Sequence, residues 1–573
     1  MVSLKQEAEF EDILAEVGDY GKYQKKLILL FLFPSAALLP WFSMNVLLLV
    51  FVPDHWCYVP EVARSNLTIA EQRSILAPPN NSACMMYDMN YTEVLKSGMD
   101  FKYADGTELQ KEIRNTTLVP CKNGWAYDTT YFVETAASKW NMVCEDSHYT
   151  SLVMTMANVG SIIGTPIYGS LSDSIGRKPV FFLVILVTAI TAISSVLMTN
   201  FTAFLVLRTI NGSLMPSVFQ LPFIILMEIV GPSMRTHMNG IASSAWTIGL
   251  CVLPLIAYVT RHWVTLGLAT SSVTVLFFFY WTFLPESPRW LLSRERYGEA
   301  TKIMMRIADA NDKPQDPVEL RLKLQKLGER IKKEKSLGEV SNSCADFLRY
   351  PNLRKKFFIV TFCWVADVTA YYGLQINVSH LAGDPFLNFF LLALVEVPGL
   401  ICGWAFMEGL GRRWCSVSAL ALTGLACLVP VVVPAGIPYV AVVSSLVGKF
   451  GSSAAFMAVY QQSSELYPTT VRAIGMGVSG TFAGLANIIV PYIVFLAFIG
   501  KYIPFLIMGL MCLLAAVAAS FLPETLNEIL PQTIGDAEAF GKDQVFFSCS
   551  KKRRLPDEMN EVTPKLLNPA KYS

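Results

Sequence analysis

Twelve stretches of this sequence are each about twenty residues long, mostly apolar and nearly free of charge. That is the length a helix needs to cross the hydrocarbon of a bilayer. They run Leu27–Val52, Tyr149–Leu171, Pro179–Met198, Ala203–Met227, Met238–Tyr258, Val264–Leu284, Phe357–Ile376, Phe386–Met407, Trp414–Val433, Ile437–Gln461, Ile474–Phe498 and Tyr502–Leu522. Backbone groups in lipid must be satisfied within the segment, which makes these stretches helices. Composition agrees: 53% of residues are hydrophobic and only 16% charged, against about 25% charge in an average soluble domain. Mean hydropathy is +0.42. The net charge of +1 comes without a concentrated basic stripe, so nucleic acid is not an expected partner. The chain reads as an all-α membrane protein whose surroundings are a lipid bilayer.

Orientation follows from where Lys and Arg lie. They crowd the segment 285–356, for example Arg289, Arg294, Lys332, Lys333 and Lys355. The short turns at Arg177–Lys178 and Arg412–Arg413 are basic, as is the tail at Lys551–Arg554. The alternate turns, Thr199–Thr202 and Val433–Gly436, carry none. Both termini and the central segment are therefore expected in the cytoplasm. The division is a tail over 1–26, a helix over 27–52, an extracellular loop over 53–148, helices two to six over 149–284, a cytoplasmic linker with short helices over 285–356, helices seven to twelve over 357–522, and a tail over 523–573. The acidic start, with Glu7, Glu9, Glu11, Asp12 and Glu16, is unlike the basic start of a cleaved signal peptide.

The long loop carries four glycosylation sequons, at Asn66, Asn80, Asn90 and Asn115. Asn200 and Asn377 match the pattern too close to the bilayer for use, and Asn211 lies inside a helix. Four of the twelve cysteines, Cys57, Cys84, Cys121 and Cys144, share the loop. An even number in an oxidising compartment implies two disulfides, with three pairings open.

Three patterns occur twice in one order. Gly169-Ser-Leu-Ser-Asp173-Ser-Ile-Gly176-Arg177-Lys178 returns as Trp404-Ala-Phe-Met-Glu408-Gly-Leu-Gly411-Arg412-Arg413, a step of 235 from Asp173 to Glu408. Glu228-Ile-Val-Gly-Pro-Ser-Met-Arg235 returns as Glu465-Leu-Tyr-Pro-Thr-Thr-Val-Arg472, a step of 237. Phe283-Leu-Pro-Glu-Ser returns as Phe521-Leu-Pro-Glu-Thr, a step of 238. The chain thus reads as two pseudo-symmetric six-helix halves in parallel, an arrangement that in secondary transporters places substrate between the halves.

Several of these residues carry a resemblance. Pro53-Asp-His-Trp-Cys57, Pro120-Cys-Lys-Asn-Gly-Trp125, Pro285-Glu-Ser-Pro-Arg-Trp-Leu-Leu292 and Glu465-Leu-Tyr-Pro-Thr-Thr-Val-Arg472, together with the large loop, resemble the organic cation, carnitine and organic anion transporter family of the major facilitator superfamily. The resemblance covers about residues 10–530. It departs at Ser174, where the family usually has Arg. It implies the major facilitator fold, a plasma-membrane location, a small-molecule substrate and no cofactor. A carcinine- or β-alanine-like branch is within its range.

Charges inside the bilayer are functional candidates by default. Arg208, Asp367, Glu396 and Lys449 fall within apolar stretches. Arg208 reads as structural. Glu396 and Lys449 fit equally a buried ion pair and a pair of substrate-facing charges. Asp367 sits three residues after Trp364 and four before Tyr371, on one helical face. A carboxylate beside aromatic rings suits an ammonium group. In the organic cation transporters, aromatics at the positions of Phe219, Trp246, Trp364 and Tyr371 help line the cavity, which the resemblance carries to this chain. The position of Gly484 is acidic in the cation branch and often Arg in the others, so Gly484 fits neither. Gly448-Lys-Phe-Gly451 resembles the carnitine branch, which makes Lys449 a candidate for the substrate's negative end. Carnitine, β-alanine and carcinine-like molecules are candidates.

The repeated acids and arginines lie at cytoplasmic helix ends: Asp173, Arg177, Glu228, Arg235, Glu286 and Arg289 in the first half, Glu408, Arg412, Glu465, Arg472 and Glu524 in the second. They are expected to form salt bridges that close the cytoplasmic side and break as the halves rock. The histidines are scattered at 55, 148, 237, 262 and 380, so no metal set is read, and no nucleotide-binding loop or catalytic triad appears. The sequence therefore describes a transporter of small organic cations or zwitterions, facilitative, functionally monomeric and not an enzyme. The alternatives are a carnitine or organic anion carrier with ion coupling, and a receptor that no longer transports.

Overall fold

The computed structural model describes residues 2–76, 83–96, 116–336, 345–433, 437, 439–468, 471–526, 528, 531, 533–542 and 544. Eleven helices among them are long and apolar enough to cross a membrane: Lys22–Leu49, Cys144–Ile175, Arg177–Leu197, Phe201–Ile229, His237–Thr260, Trp263–Trp281, Pro351–His380, Pro385–Leu410, Arg412–Val432, Tyr439–Leu466 and Ile474–Phe498. A twelfth apolar helix, Ile503–Ala519, is shorter at 17 residues. These are the first to twelfth spans. The first begins at Lys22, five residues before the apolar stretch, because lysines at 25 and 26 can reach past the bilayer edge while their backbone stays helical. The eighth breaks between Leu394 and Glu396. Pro398 has no N–H for the Leu394 carbonyl, so the ladder stops there.

Each half has its own core. Phe31, Phe181, Leu214 and Ile225 pack in the first. In the second, Cys363, Ala366, Ala455 and Ala515 form one cluster and Phe347, Val360 and Tyr467 another. A cluster shared by both halves joins Leu250, Leu253 and Trp263 to Leu374, Phe386 and Phe389. All six lie toward the face of the bundle that carries the 53–148 loop. Polar bonds across the halves sit there too: Ser151 Oγ donates to the Pro491 carbonyl (3.2 Å), Thr155 Oγ1 to that of Ile488 (3.0 Å) and Asn158 Nδ2 to that of Asn487 (2.9 Å). On the opposite face, which carries the linker, the cores of the two halves are separate. Among the described residues the halves meet at the loop face and part toward the linker face.

Spans two and four touch backbone to backbone. A Cβ on Gly160 or Gly164 would collide with the carbonyl of Thr209 or Ser213, and one on Gly212 with Ala157. Lipid supplies no hydrophobic drive between helices, so small residues that allow close approach decide which surfaces associate.

The loop is a small domain with its own apolar cluster of Trp56, Val59, Val62, Leu76, Met86 and Tyr91. His55–Cys57 pairs antiparallel with Trp125–Tyr127, and Met85–Tyr87 with Leu118–Pro120. Cys57 is bonded to Cys121 and Cys84 to Cys144, with Cα separations of 5.1 and 5.6 Å. The second bond fastens the domain to the start of the second span. Asn66 and Asn90 are exposed; Asn80, Asn115 and the basic tail at 551–554 lie outside the described residues. Asn211 is buried and donates to Thr188 and Thr191, and Asn377 is buried as well.

The linker holds helices Pro288–Ser293, Tyr297–Ala310 and Pro317–Ser336. The N-terminal helix Val2–Val17 lies against them, with Phe10, Leu14 and Val17 packed among Met304, Ile307 and Leu324. Its Glu11 reaches Arg235 at 2.9 Å and Arg289 at 3.4 Å.

Two of the repeated acids act as helix caps. Glu286 accepts from the backbone N–H groups of Arg177 and Lys178 (3.1 Å each). Glu524 accepts from those of Arg412 (2.8 Å) and Arg413 (3.2 Å). The glycine before each span holds a positive φ, +119° at Gly176 and +93° at Gly411. A Cβ there would also strike the capping carboxylate. A carboxylate at a helix start satisfies orphan donors and meets the positive end of the dipole. Glu286→Ala and Glu524→Ala should each cost about 1–2 kcal/mol, with Glu→Gln costing less because it keeps an acceptor. Melting of the purified protein checks this: alanine variants as stable as the parent would remove the capping role.

Candidate functional site

Midway along the bundle three buried charges come together from spans seven, eight and ten. Lys449 Nζ lies 2.9 Å from Glu396 Oε1, and both side chains are almost fully enclosed. The ammonium also donates to the Tyr371 carbonyl (3.3 Å) and sits 3.1 Å from the centre of the Tyr371 ring. Tyr371 Oη donates to Glu396 (2.7 Å) and accepts from Trp246 Nε1 (3.2 Å). Thr247 Oγ1 approaches the other Glu396 oxygen at 3.4 Å. Trp246 and Thr247 belong to the first half, so this carboxylate ties the two halves together. It stands at the start of the helix Glu396–Leu410, where the dipole favours an anion.

Asp367 is buried and accepts from Ser452 Oγ at 2.9 Å. It turns toward the tenth span, whereas Trp364 and Tyr371 are half-buried. Trp364 packs edge-on to Phe456, ring centres 5.9 Å apart, and against Tyr460 at the same distance. Phe456 and Tyr460 are exposed.

Beside this cluster lies a cavity of about 290 Å³, walled by spans one, two, four, five, seven and eleven. Phe219 and Trp246 line it, and Phe219 stacks on Phe223 with ring centres 5.5 Å apart. Asp367, Glu396, Lys449, Trp364 and Tyr371 are not among its lining residues; Tyr372, next to Tyr371, is. The wall also holds Arg208 and the amides Asn158, Asn211, Gln220 and Asn487. Sequence reasoning passed over the amides, although polar amides inside apolar stretches were a readable signal. A second concavity of about 720 Å³ lies on the linker helices at Thr301, Lys302 and Arg306. It is open to solvent and away from the halves' interface.

The proposed gating residues group within each half. Asp173 pairs with Arg177 (3.0 Å) one turn on, and its carbonyl accepts from Trp290 and Arg294. Glu228 bonds Ser287. Arg412 pairs with Glu465 Oε2 at 3.2 Å, and Thr525 Oγ1 donates to the same oxygen. Arg472 donates to the Tyr467 carbonyl (3.2 Å), and its burial lowers its pKa against the pull of Glu465. Glu408 is exposed and forms no ion pair with a described residue. None of the ion pairs among the described residues joins the two halves at the linker face.

Two repeated six-span halves around a polar interface define a major facilitator transporter. The xylose transporter XylE of E. coli in its inward open conformation shares the fold, with a TM-score of 0.56 at 14% identity over 90% of this chain and 100% of that one. The family described as Sugar (and other) transporter matches residues 83–533. The chain is 33% identical over 569 residues to organic cation transporter 1 of Caenorhabditis elegans, covering 98% of this chain and 95% of that one. It is 33% identical over 570 residues to the carcinine transporter of Drosophila melanogaster, covering 98% and 83%. The chain belongs to the organic cation and carnitine transporter family of the major facilitator superfamily, a family of membrane transporters and not of enzymes.

Proposed function

We propose that this chain carries small organic cations or zwitterions across the plasma membrane by alternating access, as a facilitative and functionally monomeric carrier. In this reading the loop face is extracellular, and the linker face and both termini are cytoplasmic. The arrangement described is then inward-facing, and the motif arginines and acids stabilise each half as it moves. The observation that carries the substrate class is the buried set Asp367, Glu396 and Lys449, which sets two carboxyl groups against one ammonium beside the rings of Trp246 and Tyr371. Excess negative charge in a low dielectric, faced with aromatic rings, attracts a cationic nitrogen and repels an anion. The names of the relatives, an organic cation transporter and a carcinine transporter, point the same way.

The test is uptake by the full chain in proteoliposomes, offered labelled cations, zwitterions and anions in parallel. Uptake of amines or zwitterions without an imposed ion gradient supports the reading. Uptake restricted to anions, or wholly dependent on a sodium or proton gradient, overturns it.

A further inference from the structure

We infer that Arg208 anchors a carboxylate of the transported molecule, so that the substrates this chain favours are zwitterions rather than simple amines. The inference rests on the transport reading above and specifies its substrate. Arg208 stands in the fourth span with only 3% of its surface exposed, in the wall of the 290 Å³ cavity. Its guanidinium stays charged at any physiological pH. Nη1 reaches Asn45 Oδ1 at 3.5 Å, the outer limit of a hydrogen bond. Among the described residues Nε and Nη2 have no partner, and no described acid pairs with Arg208. The Phe204 ring, 5.5 Å away, covers the guanidinium without offering an oxygen acceptor.

An arginine buried without a counter-ion is costly, and breaking a buried pair leaves this same state. What it lacks is two acceptors side by side, the pattern a carboxylate presents to the guanidinium fork. Asn45 is preset for such a guest: its Nδ2 donates to Thr270 Oγ1 at 3.0 Å, which fixes its oxygen toward Arg208. Lys449, the cation the sequence offered for this task, is already held by Glu396. The charges then balance in two places. Two carboxyl groups, Asp367 and Glu396, stand against the one ammonium of Lys449 in the second half, and Arg208 stands in the first with no acid among the described residues beside it. Counted along their helices at about 1.5 Å per residue, Arg208 lies roughly 10 Å from the loop-face end of its span and Glu396 roughly 16 Å from the start of its own. A molecule with an amine and a carboxylate a few bonds apart neutralises both sites; a simple amine leaves Arg208 unpaired.

The test uses the full chain in lipid nanodiscs and measures binding of β-alanine and carnitine, each against its primary amide, which keeps the cationic nitrogen and removes the negative charge. The parent should bind at least one acid about tenfold or more tighter than its amide. Arg208→Gln should weaken that acid roughly 10- to 150-fold, the range of a charged hydrogen bond, and leave the amide within about threefold. Asn45→Asp supplies a permanent carboxylate to Arg208 without removing it, so it should abolish the preference for acid over amide while melting no lower than the parent. It decides the matter if Arg208→Gln does not fold. A parent that binds amides as tightly as acids overturns the inference and leaves the cation reading standing. So does an equal loss of both probes in Arg208→Gln, or an unchanged acid preference in Asn45→Asp. A parent that binds neither acids nor amides overturns both readings.

Discussion

Lys449→Met should destabilise the protein by about 3–5 kcal/mol, because it strands the Glu396 carboxylate in the interior. Lys449 and Glu396 are 0% and 3% exposed at the side chain, so water cannot take the place of the missing partner. The same loss is expected of Glu396→Gln, which takes the paired carboxylate from the ammonium and leaves one acceptor oxygen where Tyr371 Oη and Thr247 Oγ1 met two. The double variant Glu396→Gln/Lys449→Met removes both charges and should recover most of the loss, since replacing a whole buried pair is often close to neutral. A coupling of about 2 kcal/mol or more between the two positions is therefore expected. Thermal melting of the four proteins in detergent measures it. Single losses that simply add in the double variant would show that each residue is held by something other than its partner. The variants should also separate stability from transport. The double variant restores charge balance but leaves one acceptor oxygen where Tyr371 Oη and Thr247 Oγ1 met two, so uptake should stay impaired after the melting temperature has returned.

The spans were legible because length and apolarity suffice to identify a membrane helix, and the repeat was legible because three motifs return at nearly one step. What was not legible depended on neighbours. Glu286 and Glu524 were read as gate charges; they cap helices, a role that appears only when Gly176 and Gly411 present their following N–H groups to them. The cysteine pairing was open until the strands fixed which sulfurs face each other. Asp367 was placed on the face of Trp364 and Tyr371 by a spacing of three and four. At 100° per residue that spacing leaves it about 60° round the helix from Trp364 and about 40° from Tyr371, enough to turn it toward Ser452. Lys449 had two acids within reach in the sequence, and packing joined it to Glu396. Arg208 read as structural because a buried arginine normally brings a partner. Here an asparagine is its one hydrogen-bonding neighbour among the described residues.

Asp367→Asn should weaken binding of every amine-bearing ligand by roughly 30-fold. The figure comes from charge rather than contact: in general, unit charges about 8 Å apart at an effective dielectric near 20 interact by about 2 kcal/mol. Asp367 does not line the cavity, so its influence runs through space, and asparagine is the right probe because its oxygen can still accept from Ser452 Oγ. Removing that charge also leaves Glu396 and Lys449 as a neutral pair, with no excess to attract a cation. A neutral ligand of matched shape should lose about threefold or less. Ser452→Ala separates the two effects. It takes away the 2.9 Å hydrogen bond but not the charge, so amine affinity should survive it even where stability falls. The measurement is affinity for a matched amine and neutral ligand in each variant, alongside its melting temperature. If Asp367→Asn weakens both ligands alike and in step with a fall in melting temperature, the carboxylate holds spans seven and ten together and takes no part in recognising the cation.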